Sequence, residues 1–376
     1  MEVITGGAQR RDARLVPVLL LFLLLLALMA GAAYVGSSRD DDLVVAPGPS
    51  ASAAAPSATS LATPSATPAA SPLSDATIAF PFNVTEIVAG ETATWVTVAG
   101  EDTNELPRAM YRIDRGATDA QLVVAEIGAP ATSPVIIVEA GGSVWAVTSP
   151  NVLIRFSLPD GTRQGTVELG NFPIEPHVAF GAVWSLNYDD GSLGRIDPAT
   201  STVVTTIEIP QFEGQGPRDV APGERLLWAI TPRQSVMVGI DPATNTVADE
   251  IALGAGMHCG VAVMAGRIWV DGCDSSVPLE VFDEATGDPV GVMERDTLRG
   301  LPLFEADGAV WIQAGGTAPS ASTRIVAVDP VSLQPIAAST VDLGVAAGWL
   351  IADDGALWYS LGSNVYRLSL DSFATN

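Results

Sequence analysis

Residues 181–210 read GAVWSLNYDDGSLGRIDPATSTVVTTIEIP, and their order of elements decides the fold. A tryptophan closes a short apolar alternation, Gly181 to Leu186. A second alternation leads into the turn Asp197-Pro198-Ala199-Thr200. A third strand, rich in Val, Thr and Ile, runs back. Period-two alternation is the signature of strands. Asp and Pro mark the turn, because Pro fixes φ and Asp bonds the backbone of its own turn. The next stretch repeats the pattern: LLWAITPRQSVMVGIDPATNTVADEIAL, residues 226–253.

The tryptophan recurs at Trp95, Trp145, Trp184, Trp228, Trp269, Trp311 and Trp358, with spacings of 50, 39, 44, 41, 42 and 47 residues. Only Trp349 falls outside the series. Weaker copies of the hairpin follow the other tryptophans, as in YRIDRGATDAQLVVAEI, IRFSLPDGTRQGTVEL, EVFDEATGDPVGVM and IVAVDPVSLQPIAAST. A further strand precedes each tryptophan, as in PHVAFG, RDVAPG, GVAVMAG and LIADDG. The unit is four strands: inner, Trp-bearing, third and outer. Four-stranded repeats of about 40–45 residues are propeller blades. The expected fold is all-β, a seven-bladed β-propeller over residues 74–376. Asp114, Asp197, Asp241, Asp283 and Asp329 read as turn-makers. The last repeat stops before its outer strand. The run from Asp75 to Phe82 (DATIAFPF) has the register to supply it and to close the ring without free edges.

The unit G-x-VW…RIDPAT…VV-x-x-I resembles repeats of the NHL/YVTN propeller superfamily, which includes YncE-like proteins and streptogramin (virginiamycin B) lyases. The resemblance spans about 300 residues and implies the propeller fold. Activity in that superfamily is mostly binding. Its lyases imply a histidine base and a metal, Mg²⁺, held by His and Glu, which open an ester-linked macrocycle by elimination.

The chain carries a net charge of −25, and all 18 basic residues are Arg. Arg10, Arg11 and Arg14 precede an uncharged run of 21 residues, Leu15 to Val35, so the remainder holds 15 Arg against 41 acidic groups. Such a surface repels phosphate backbones and excludes nucleic acid as a partner. At ~1.5 Å per residue the apolar run spans the ~30 Å hydrocarbon core. With arginines before it and Asp40, Asp41 and Asp42 after it, the positive-inside rule puts the N-terminus in the cytoplasm. The reading is a cytoplasmic tail (residues 1–14), a signal anchor (15–36), a stalk (37–73) and an extracellular, monomeric propeller on the cell membrane. A cleaved signal peptide is the competing reading, although the run exceeds the ~7–15 residues of a signal core. Residues 46–72, almost wholly Ala, Pro, Ser and Thr, bury no core and read as disordered.

Two cysteines, Cys259 and Cys273, flank a hairpin and lie equidistant from Gly266, which faces them across the strands and predicts a disulfide. The loops joining outer to inner strands and second to third strands open on one face around the channel. On that face the expected ligand-binding residues are His177, Tyr188, Asp189, Asp190, Arg218, Asp219, His258, Asp271 and Asp274, with Glu101 and Asp102 in a long loop. The only two histidines are the candidates for catalysis, and Glu175-Pro176-His177 places a carboxylate beside one of them. They lie 81 residues apart, about two blades, which is too far to chelate one ion comfortably. No nucleophile elbow, phosphate loop or dinucleotide fingerprint is present, so no cofactor is expected. Asn187 to Ser192 (NYDDGS) carries oxygen ligands that suit Ca²⁺ and also suit a plain Asp-Asp-Gly turn. Asn83-Val84-Thr85 is a glycosylation sequon. Three functions remain in order: a membrane-tethered binding module for a protein, peptide or cell-envelope ligand, a lyase- or lactonase-like enzyme at the channel mouth, and a sensor domain.

Overall fold

The computed structural model describes residues 72–99, 109–127, 136–148, 151–274, 276–293, 300–314 and 322–373. The anchor, the stalk up to residue 71, and Glu101 and Asp102 lie outside the described residues. Among the described residues no helix is long and apolar enough to cross a membrane.

The strands run in chain order. β1 is Ala76–Ala79. The first blade is β2 (Val84–Ala89), β3 (Ala93–Val98), β4 (Ala109–Asp114) and β5 (Gln121–Val124). The second is β6 (Ile136–Ala140), β7 (Ser143–Thr148), β8 (Val152–Ser157) and β9 (Arg163–Glu168). The third is β10 (Pro173–Ala179), β11 (Ala182–Asn187), β12 (Ser192–Asp197) and β13 (Thr202–Glu208). The fourth is β14 (Asp219–Pro222), β15 (Leu227–Ile230), β16 (Val236–Asp241) and β17 (Thr246–Ala252). The fifth is β18 (His258–Met264), β19 (Arg267–Gly272), β20 (Leu279–Asp283) and β21 (Pro289–Met293). The sixth is β22 (Pro302–Ala306), β23 (Ala309–Ala314), β24 (Arg324–Val328) and β25 (Pro335–Asp342). The last is β26 (Leu350–Asp353), β27 (Ala356–Leu361) and β28 (Asn364–Ser369). Its fourth strand is β1, paired antiparallel with β28 from Ala76↔Arg367 to Ala79↔Asn364. Seven four-stranded sheets result, closed by the N-terminal strand as the truncated last repeat demands.

The Gly of each G-x-x-W motif has a backbone reason. Two-residue turns join inner to second strand at Gly141-Gly142, Phe180-Gly181, Ala265-Gly266, Asp307-Gly308 and Asp354-Gly355, and both residues of each have positive φ. This is the mirror-image hairpin turn that matches strand twist, and Gly takes its second position without strain. On the opposite side of the third strand, Asp197, Asp241, Asp283 and Asp329 each accept a hydrogen bond from the backbone N–H two residues on. Asp114 differs: it pairs with Arg112 at 2.6 Å.

The seven tryptophans are at most 2% exposed. Each packs against the following blade. Trp184, for example, joins Val220, Leu227 and Val238 of the fourth blade. Trp358 packs on Ile87, Val96 and Ile113 of the first, which seals the ring. In four blades the residue opposite the tryptophan on the third strand is an arginine: Arg112, Arg155, Arg195 and Arg367. Each guanidinium lies 5.2–5.9 Å from its indole centroid, a cation–π contact. Arg155 and Arg195 also reach the next blade, at Ser201 Oγ and Asn245 Oδ1.

Cys259 and Cys273 are bridged, with Cα atoms 4.9 Å apart. The register differs from the symmetric hairpin about Gly266. The turn has two residues, so Met264 pairs with Arg267 and Gly260 with Asp271. Cys259 would then face Gly272. A bulge shifts the ladder to His258↔Gly272, leaves Cys259 as the extra residue, and re-aims it at Cys273.

Candidate functional site

The inner strands line a cavity of about 540 Å³ between the first, second, third and last blades, walled by Glu86, Ile136, Val138, Glu139, Glu175, His177, Trp349 and Ile351, among others. Its composition follows from strand register. In the first, third, fourth and last blades the tryptophan faces Val88, His177, Ala221 and Ile351. Two residues toward the start of each inner strand stand Glu86, Glu175, Asp219 and Trp349. Three carboxyls and one indole therefore occupy one level, near the face where the outer-to-inner loops open.

These groups differ in how they are held. Glu86 is 6% exposed, and its Oε2 has no hydrogen-bond partner. Burial, reinforced by the charge of Glu175, pushes its carboxyl up to about 8, against a smaller opposing effect of the Ile137 backbone N–H. Asp219 accepts from the backbone N–H of Val220 and of Val261, both at 2.8 Å, so it ties the fourth inner strand to the fifth. Burial raises it to about 7 despite those bonds. His177 Nε2 lies 3.6 Å from Asp219 Oδ1 and makes no hydrogen bond. Burial lowers the imidazole below its ordinary value, so it is neutral at neutral pH. Arg218 Nη1 stands 3.8 Å from Glu175 Oε2, an exposed pair of small energetic value. Glu139 also borders the cavity but is committed, accepting from Thr92 and from Trp95 Nε1.

The structure thus brings together His177, Arg218 and Asp219 from the expected set. It adds Glu86, which the repeat pattern did not single out, and Trp349, the tryptophan outside the series, and it sets Glu175 in the same cavity. The remaining residues are placed elsewhere. His258 is fully buried, with Nε2 2.8 Å from Glu280 Oε1 on the third strand of its blade. Glu280 also accepts from the Gly254 N–H. A carboxylate therefore does stand beside His258, 22 residues further along the chain. Tyr188, Asp189 and Asp190 form one turn of 3₁₀ helix. Asp190 accepts from the N–H and Nδ2 of Asn171. That turn borders a separate cleft of about 280 Å³ with Gly170, Asn187 and Ser192. Asp271 stands opposite Gly260 on β19, and Asp274 accepts from the Ser276 N–H in the following turn. Among the described residues no three His, Cys, Asp or Glu side chains converge on a point where a metal ion would sit.

What the channel mouth can do chemically is bind and exchange protons. Near neutral pH it offers a protonated Glu86, a partly ionised Asp219 and a neutral His177, in a cavity also lined by Val, Ile and one indole. Groups with raised or lowered pKa values in a concave site mark functional candidates.

No protein-family model and no curated protein matches the chain. Solved structures do. A chain of the "Crystal Structure of Mitotic Checkpoint Complex" is similar with a TM-score of 0.60 at 11% identity, covering 83% of this chain and 97% of that one. BamB from Moraxella catarrhalis is similar with a TM-score of 0.53 at 13% identity, covering 76% of this chain and 82% of that one. At such identities the likeness concerns the backbone alone, and it agrees with the strand order in making this chain a β-propeller.

Proposed function

We propose that this chain is a membrane-tethered, extracellular propeller of the NHL/YVTN type, monomeric, whose channel-mouth face binds a protein, peptide or cell-envelope ligand. The observation that carries the reading is Trp349. It is 46% exposed, whereas the seven blade tryptophans are buried, and it borders the channel cavity. Solvent-exposed indoles on a rigid scaffold are characteristic anchors of interfaces. The propeller fold commonly serves protein interaction, and one similar chain comes from the mitotic checkpoint complex. The Cys259–Cys273 bridge supports an oxidising compartment. The Arg-flanked apolar run and the Ala/Pro/Ser/Thr stretch support an anchor and stalk.

The test is photo-crosslinking in the native host, with a photoreactive residue at Leu361 or at Val331. Leu361 is 40% exposed and shares a cavity with Trp349. Val331 is 72% exposed in a third-to-outer-strand turn, on the opposite face. Adducts form from 361 and not from 331 if the channel mouth is the binding face. Adducts from 331 alone, or from neither, refute it.

A second reading has its own support. His177 beside Asp219 is an acid–base pair suited to proton transfer in a lyase- or lactonase-like reaction. Turnover of a streptogramin with Mg²⁺, lost in His177→Ala, would establish it. Retention of that turnover in His177→Ala would remove His177 from the chemistry.

A further inference from the structure

We propose that the channel-mouth cavity is a receptor for an organic cation, an ammonium or guanidinium group carried by the ligand, seated between the Glu86 carboxyl and the Trp349 indole. The inference rests on the binding-module reading and specifies the chemistry of its ligand.

Four observations support it. First, Glu86 is 94% removed from solvent by its 6% exposure, lines the cavity, and leaves Oε2 without a partner. A buried carboxyl oxygen without a donor is costly, and a donor arriving from the cavity relieves that cost. Second, Trp349 borders the same cavity with its ring partly in solvent. An indole face attracts cations through its quadrupole. Third, the remaining wall is aliphatic, formed by Ile136, Val138 and Ile351 among others, which suits the carbon stem of an amine. Fourth, charge selects the sign. An anion would meet Glu175, and Glu86 wherever it is ionised, with Arg218 already paired to Glu175. A bare Ca²⁺ or Mg²⁺ ion needs about six oxygen ligands, and among the described residues no three His, Cys, Asp or Glu side chains converge on one point.

Proton release accompanies binding. Glu86 is protonated at neutral pH in the free protein because its carboxyl is raised to about 8. A cation stabilises the carboxylate, so occupancy expels the proton. The titratable groups that line the cavity with Glu86 are Glu91 beyond β2, Glu139 on β6, and Glu175 and His177 on β10, with Arg218 and Asp219 beside them. Glu139 is held by its own bonds to Thr92 and Trp95.

The experiment is calorimetric titration of the full chain in detergent with agmatine and with butylammonium. Butan-1-ol, butanoate and CaCl₂ serve as neutral, anionic and metal controls. Both cations bind. The ionised fraction of a group at about 8 rises from roughly 1% at pH 6 to roughly 50% at pH 8, so affinity rises about 50-fold over that interval. Glu86→Gln abolishes the pH dependence and weakens binding at pH 8 at least tenfold. Trp349→Leu weakens it several-fold and leaves the pH dependence intact. Equal affinity in Glu86→Gln, butan-1-ol or butanoate binding as tightly as butylammonium, or Ca²⁺ binding in place of the cations overturns the proposal. Thermal unfolding shows that each variant is folded before titration. Adducts at position 361 without cation binding sink this inference alone, and cation binding without adducts at 361 sinks the module reading alone.

Discussion

Replacing Glu86 by Gln should stabilise the propeller at alkaline pH and leave it unchanged in acid. The side chain is 6% exposed and its carboxyl is raised from 4.5 to about 8, chiefly by burial. A group whose pKa rises on folding contributes stability that is complete below its unfolded value and is lost as pH climbs through its folded value. For Glu86 the window therefore runs from pH 4.5 to about 8. Across it the folded state loses on the order of 5 kcal/mol at 1.36 kcal/mol per pH unit. Gln keeps the shape of a protonated Glu and cannot ionise. At pH 5 the two chains should melt together. At pH 9 the variant should melt roughly 8 °C higher for a domain of this size. Differential scanning calorimetry at the two pH values reads the gap directly. The repulsion among the chain's other acidic groups rises with pH in both proteins and cancels in the difference. A gap that does not change with pH, or a wild type more stable than the variant at pH 9, would refute the reasoning.

Other perturbations test the scaffold. Trp184→Ala empties a fully buried contact between the third and fourth blades and should cost about 3–5 kcal/mol in urea unfolding. Arg195→Met removes the cation–π contact and the bond to Asn245, and should cost about 1–2 kcal/mol by the same measurement. Cys259→Ser opens a bridge spanning 14 residues and should cost about 3 kcal/mol by the chain-entropy model, as should reduction of the wild type. Deleting residues 1–81 removes β1 and exposes the edge of β28, so the shortened chain should melt lower and aggregate where a chain beginning at Pro72 does not.

The fold was legible because its geometry repeats. Each blade needs a flat, bulky side chain at one point of its second strand to meet the next blade, and a Gly where the preceding turn requires positive φ. The same letters therefore return seven times for the tryptophan and five times for the two-residue turn. The Arg opposite four of those tryptophans sat in plain view in YRID, IRFS, GRID and YRLS. Its stacking emerges only when the third strand is paired in register. The cysteine pair was legible as a hairpin bridge, but the bulge at Cys259 was not, since no residue type marks it. The channel mouth is harder because it departs from the repeat. Glu86, Glu175, Asp219 and Trp349 share a level only after each inner strand is aligned on the residue facing its tryptophan. Aligning PHVAFG with RDVAPG on Gly181 and Gly223 sets His177 against Asp219, and so hides that Glu175 and Asp219 each stand two positions before the Trp partner. Glu280 escaped notice because it reaches His258 from a different strand, and sequence proximity carries no information on such pairs.

The division of the eight tryptophans into seven that hold blades together and one that meets a ligand is the central claim, and 5-fluorotryptophan NMR of the full chain tests it. Trp349→Phe assigns its signal. On titration with agmatine at pH 8 the Trp349 resonance should shift and saturate while the seven blade signals stay in place. A silent Trp349 resonance, or shifts distributed over the blade tryptophans, would contradict the account.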